Sequence, residues 1–307
     1  MPDPQRVFVV GCPRSGTTVV QALIARHPAV HSFPETGYFE SLYGSIRRRW
    51  GDLGAHGEHH WYHRLGLARS SGRRRLRRLE HMLAGGKPAR AAPLRPAACV
   101  RRYVDLLDGC ARRSGAALWV EKTPSHLIYI EEIARHIPDA RFIHVLRDGA
   151  DVMASIMDGD LHQPTHDFGG GLAVWARRWN RSIDLHLAHR DDPRHLLLCL
   201  EDLTARPQWG WQRIREFLGL DASLSLRPQP ASRISDPGRE PWKRAAASGR
   251  LQLPAHKTDA LFGPVARAWM RDHLRDYAEV RAAISGLRRE IPAQAIGSCR
   301  DDRRLRR

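Results

Sequence analysis

The chain has 307 residues, enough for one large domain or two small ones with a buried core. Apolar residues make up 42% and charged residues 27%, which excludes wholesale disorder, and no run reaches the ~18 apolar residues of a spanning helix. Fifty Lys and Arg against 33 Asp and Glu give a formal charge of +17, which points to anionic partners, although biased genome composition also produces such an arginine excess.

In chain order, Val7–Val10 is a short β-rich run that ends at Gly11. It is too short for the core of a signal peptide, so a cytoplasmic location is the expectation. Cys12, Cys99, Cys110, Cys199 and Cys299 are odd in number and lack CxxC spacing, which argues against a disulfide framework or a zinc site. Thr18–Arg26 reads as a helix with Val19, Val20, Leu23 and Ile24 on its apolar face. Val30–Phe33, Ala117–Val120, Arg141–Leu146 and His195–Leu200 read as further strands. Helices are predicted over Ser125–His136, Asp151–Met157 and Gly171–His189. This alternation predicts an α/β fold with a parallel sheet covered by helices on both faces.

The segment from about 38 to 115 has no strand signal and reads as a helical insertion. From Arg64 to Arg90 it carries nine Arg or Lys and one acid, Glu80, which suits either a solvated helix face or a wall for an anionic acceptor. A Pro/Ser/Arg-rich loop follows at about Leu226–Arg250, then one helix at about Thr258–Leu287. The charged tail, about 292–307, is expected to be flexible. The whole chain, 1–307, is read as a single domain.

Gly11-Cys12-Pro13-Arg14-Ser15-Gly16-Thr17-Thr18 lies between a predicted strand and a predicted helix, the context of a phosphate-binding loop. Gly11 and Gly16 let backbone approach a ligand, helix N–H groups face it, and the Ser15, Thr17 and Thr18 hydroxyls add donors. Thr17 stands where triphosphate loops carry lysine, and the cation is Arg14 instead.

The PRSGTT run closely resembles the 5′-phosphosulfate loop of sulfotransferases that use 3′-phosphoadenosine 5′-phosphosulfate (PAPS), in particular the tyrosyl-protein and heparan-type branch. Arg141–Ser155 resembles that family's 3′-phosphate segment, a strand ending in arginine and then a helix carrying serine. The resemblance implies a P-loop-like sheet and PAPS as donor, with PAP as product. It assigns Pro13, Arg14, Ser15, Gly16, Thr17 and Thr18 to the 5′ end, and Arg147 and Ser155 to the 3′-phosphate. Leu200-Glu201-Asp202-Leu203 resembles the family's YEDL segment, with Leu200 in place of tyrosine. Arg239–Lys243, with Trp242 and Lys243, resembles the loop that closes over the nucleotide.

Glu35 follows the second strand, at the carboxyl edge where open α/β sheets hold ligands, and is the candidate base. Its order and spacing resemble the base glutamate of the same branch. Glu121-Lys122-Thr123-Pro124 resembles the family's EKTP segment. The resemblance makes Lys122, with Arg14, the stabiliser of charge on the bridging oxygen, and His126 the reserve base. No metal is called for. The implied reaction is sulfuryl transfer to a hydroxyl or amine of a small-molecule, glycan or lipid acceptor. The rival readings are a small-molecule kinase with an atypical phosphate loop and a basic nucleic-acid-binding protein. Thr17 argues against the first, and the paired phosphate motifs against the second.

Overall fold

The computed structural model describes residues 2–55, 66–85, 91–162, 169–230, 233–235, 244–249, 251 and 257–286. Five strands form one sheet: β1 (Gln5–Gly11), β2 (Val30–Phe33), β3 (Leu118–Lys122), β4 (Arg141–Leu146) and β5 (His195–Cys199). Every pairing is parallel and the order is β2-β3-β1-β4-β5. Connections therefore leave central β1 toward both sides, and the carboxyl tips of β1, β3 and β4 lie side by side.

Alternation sorts the strand residues between two layers. Phe8, Val10, Trp119 and Phe142 pack under the insertion, whereas Val7, Val9, Val120 and Ile143 pack under the opposite helices. Burial on both faces explains why these strands are continuous apolar runs. The opposite layer includes α1 (Thr17–Ala25), which buries Val20, Leu23 and Ile24 as its periodicity predicts.

The insertion is helical: α2 (Tyr38–Tyr43), α3 (Ile46–Arg49), α4 (Ser70–Ala84) and α5 (Pro96–Arg113). Helix α4 lies tightly on α2. A Cβ at Gly72 would sit 2.5 Å from the Leu42 Cα, and the Ser71 hydroxyl donates to the Ser41 carbonyl at 2.8 Å. Only glycine permits that approach in a helix interior, where it costs about 1 kcal/mol against alanine.

The predicted 125–136 helix is a 3₁₀ turn, Pro124–Tyr129, followed by α6 (Ile130–His136). The 151–157 helix is longer, α7 (Gly149–His162), and the 171–189 helix is α8 (Gly171–Ala188). After β5 come α9 (Leu200–Ala205), α10 (Pro207–Leu218) and α11 (Arg244–Ala247). The single helix predicted over 258–287 is corrected to three: α12 (Thr258–Leu261), α13 (Pro264–His273) and α14 (Tyr277–Gly286). Pro264 opens α13 at a position where it needs no N–H. Asp276 opens α14 by accepting the Ala278 N–H at 2.7 Å. Trp242, Lys243 and the 292–307 tail lie outside the described residues. Among the described residues no helix is long and apolar enough to cross a membrane. The four described cysteines are buried and free.

Candidate active site

The loop after β1 turns sharply. Arg14 has φ 71° and Gly16 has φ 91°, both in the left-handed region. A Cβ on Gly16 would meet Leu200 Cδ1 at 2.8 Å, so Leu200 packs where the loop needs glycine. Helix α1 begins at Gly16 without a side-chain cap, and its first-turn N–H groups belong to Thr17 and Thr18. Ser15 and Thr17 are buried, while Pro13 and Thr18 are partly exposed.

Arg14 crosses to the next strand tip. Its Nε donates to Ser155 Oγ on α7 at 3.1 Å. Arg147, at the end of β4, donates through Nη1 to the Arg14 carbonyl at 3.2 Å and faces Asp151 at 3.8 Å. The two arginines and Ser155 thus lie together at adjacent strand tips. Burial, and then the Arg147 charge, lower the Arg14 pKa from its usual value. The Arg147 Nε is buried without a hydrogen-bond partner among the described residues. Asp148 caps α7, its Oδ1 accepting the Asp151 N–H at 3.1 Å.

Lys122 and Glu121 are neighbours at the tip of β3 but point to opposite faces. They therefore do not pair with each other. Lys122 is fully buried, lies across from Val9 of β1, and its ammonium meets the Glu35 carboxylate. Glu35 is 29% exposed at its side chain. Glu121, also fully buried, accepts the Thr36 N–H and hydroxyl, each at 2.9 Å, and the Thr123 hydroxyl at 2.6 Å. Burial pushes the Glu121 carboxyl up, but His126, Thr123 and the Thr36 N–H outweigh it and hold the pKa below the usual value. His126 is fully buried, with Nδ1 3.0 Å from Glu121 and Nε2 accepting the Phe39 N–H at 3.4 Å. His126 is thus enclosed by the framework, whereas the Glu35 side chain is partly exposed.

Two contributors carried no sequence signal. Arg75 of α4 donates to the carbonyls of Thr36 and, at 3.2 Å, Glu35. Glu40 of α2 accepts the Ser125 hydroxyl, and burial raises its pKa. Only the docking of α4 and α2 against the β2–α2 loop reveals them.

The model of the sulfotransferase family matches residues 4–223. The chain belongs to the sulfotransferase family. Sulfuryl transfer is accordingly its general chemistry. Similar solved structures include the sulfotransferase domain of the Synechococcus PCC 7002 olefin synthase, at 20% identity over 89% of this chain and 95% of that one (TM-score 0.45). A sulfotransferase from Alicyclobacillus acidocaldarius is 14% identical over 94% and 96% (TM-score 0.49). Mouse sulfotransferase SULT7A1 complexed with PAP is 13% identical over 92% and 88% (TM-score 0.45). Membership rests on the 4–223 match.

Proposed function

We propose that this sulfotransferase takes its sulfuryl group from PAPS, passes it to a hydroxyl or amine by in-line displacement, and releases PAP. The observation that carries this reading is the convergence of Arg14, Ser155 and Arg147 at adjacent strand tips, with the buried Nε of Arg147 lacking a hydrogen-bond partner among the described residues. PAPS supplies the sulfuryl group and a phosphate leaving group. Pro13 to Thr18 hold its 5′ end through helix N–H groups and hydroxyls. Arg147 and Ser155 take the 3′-phosphate, for which a guanidinium offers fork-like donors.

Glu35 accepts the acceptor's proton as the acceptor oxygen bonds to sulfur and the sulfur–oxygen bond to the phosphate breaks. The electron pair of that bond stays on the phosphate oxygen, where Lys122 and Arg14 offset its charge. Lys122 also fixes the position of the Glu35 carboxylate through their ion pair. By the family resemblance Trp242 and Lys243, which lie outside the described residues, belong to the nucleotide-binding set, and the helices of the insertion contribute to the acceptor site. Arg74, Arg77 and Arg78 are exposed on α4 and suit an anionic acceptor, whether glycan, lipid head group or small molecule. Residues 1–307 form one domain that acts in the cytoplasm.

The test is transfer from labelled PAPS across phenols, alcohols, amines, glycans and lipids, with the product's mass as readout. Calorimetry with PAP and with ATP–Mg²⁺ accompanies it. Metal-independent PAP binding, weakened in Arg14→Ala, is expected. Tight ATP–Mg²⁺ binding without PAP binding would point to a kinase. Salt-sensitive DNA binding without PAP affinity would point to a nucleic-acid-binding protein.

A further inference from the structure

The peptide unit joining Arg147 to Asp148 is held at both ends. Its carbonyl accepts the Trp179 indole N–H from α8 at 3.0 Å. Its N–H donates to Glu201 Oε1 of α9 at 3.0 Å. The other oxygen of Glu201 accepts the Tyr277 hydroxyl from α14 at 2.7 Å. Beside it Arg281, one turn along α14, pairs with Asp202 at 2.5 Å. Tyr277 is buried and its ring meets Trp179 edge-on at 6.3 Å. Leu274 and Trp179 lie 3.0 Å from where a Cβ on Gly149 would stand, so the start of α7 is pressed against α8 and the turn before α14.

A tyrosine–carboxylate bond alone would be ordinary packing. This one ends on the carboxylate that orients the backbone next to Arg147, and α14 lies beyond the 4–223 stretch matched by the family. We propose that Tyr277, acting through Glu201, is a positioning residue that aims Arg147 at the 3′-phosphate. The inference rests on the reading that Arg147 receives that phosphate. Without the hydroxyl, one oxygen of the half-buried Glu201 loses its donor, and the carboxylate can swing away from the Asp148 N–H. The peptide plane then rotates more freely, and with it the base of the Arg147 side chain. A guanidinium that must meet a phosphate with paired donors is sensitive to such a tilt.

Calorimetry with PAP and with AMP, which lacks the 3′-phosphate, tests this on full-length protein without any acceptor. In Tyr277→Phe, PAP affinity is expected to fall about 3- to 10-fold while AMP affinity stays within about twofold. In an Arg147→Ala background, Tyr277→Phe is expected to add less than about twofold. Unchanged PAP affinity, or equal losses for PAP and AMP, would overturn the proposal; equal losses are what general loosening gives. Thermal melting of each variant separates folding from binding. Should Tyr277→Phe not fold, Glu201→Met breaks the same link and must show the same selective loss. If Arg147→Ala leaves the ratio of PAP to AMP affinity unchanged, the assignment of Arg147 itself is wrong, a result distinct from failure at Tyr277.

Discussion

The tips of β1 and β4 and the insertion meet at one cleft but are built by different means. At the strand tips the groups proposed to bind the donor follow their strands within a few residues: Arg14 after β1, Arg147 at the end of β4, Ser155 two turns into α7. Local geometry places them. The insertion instead acts at a distance. Arg75 reaches the carbonyls of Glu35 and Thr36 across 40 and 39 residues, and only because Gly72 lets α4 lie on Leu42. Donor binding should therefore depend on local motifs, and presentation of the base on how well two helices pack.

The sharpest test is Glu35→Gln. Turnover is expected to fall about 10²- to 10⁴-fold, the usual worth of a general base, while PAP affinity measured by calorimetry stays within about twofold. Full activity in that variant would end the assignment of the base. Next in size is Arg147→Ala, expected to weaken PAP about 10- to 100-fold through lost charge-assisted bonds, with little change in melting temperature. An equal loss of AMP affinity would contradict a role at the 3′ end.

Gly72→Ala probes the other region. The added methyl overlaps the Leu42 backbone and should cost about 1–3 kcal/mol in denaturant unfolding. Turnover should drop while PAP binding survives, because the shift reaches Glu35 and not Arg147. If both fall together, the two regions are not independent.

A pH-dependent effect lies beneath the strand tips. His144 Nδ1 and Nε2 lie 2.8 Å from His186 Nδ1 and His195 Nδ1, tying β4 to α8 and β5. Burial lowers all three pKa values, His186 to about 3 and His195 to about 4. The folded protein keeps these imidazoles neutral, whereas the unfolded chain protonates them near pH 6.5. Stability is thus fully present above pH 6.5 and is lost as pH falls toward 4, by roughly 1.4 kcal/mol per unit for a fully buried imidazole. A pH series of melting curves should show this slope, reduced in His186→Phe.

The sequence was legible where function is contiguous. The Gly11–Thr18 loop needs only a strand before it and a helix after it, and all five strands stand within two residues of where their apolar runs place them. Glu35 was singled out because it follows a strand end in a parallel sheet, and the structure sets it just after β2 against Lys122. Arg75 was not, since Arg73, Arg74, Arg77 and Arg78 surround it in the same helix and only the docked face tells them apart. Tyr277 was hidden for a related reason. Apolar spacing runs on across Phe262–Pro264 and Leu274–Asp276, so three helices looked like one, although Gly263-Pro264 marked the first break.

Arg14 carries a side chain through a backbone twist that suits glycine, at φ 71°. That choice sacrifices on the order of 1 kcal/mol of folding free energy to put a cation there. Arg14→Gly should therefore melt no lower than the parent and still lose its grip on the donor. Selection for heat resistance alone would discard this residue early, leaving a sturdier protein with nothing to transfer.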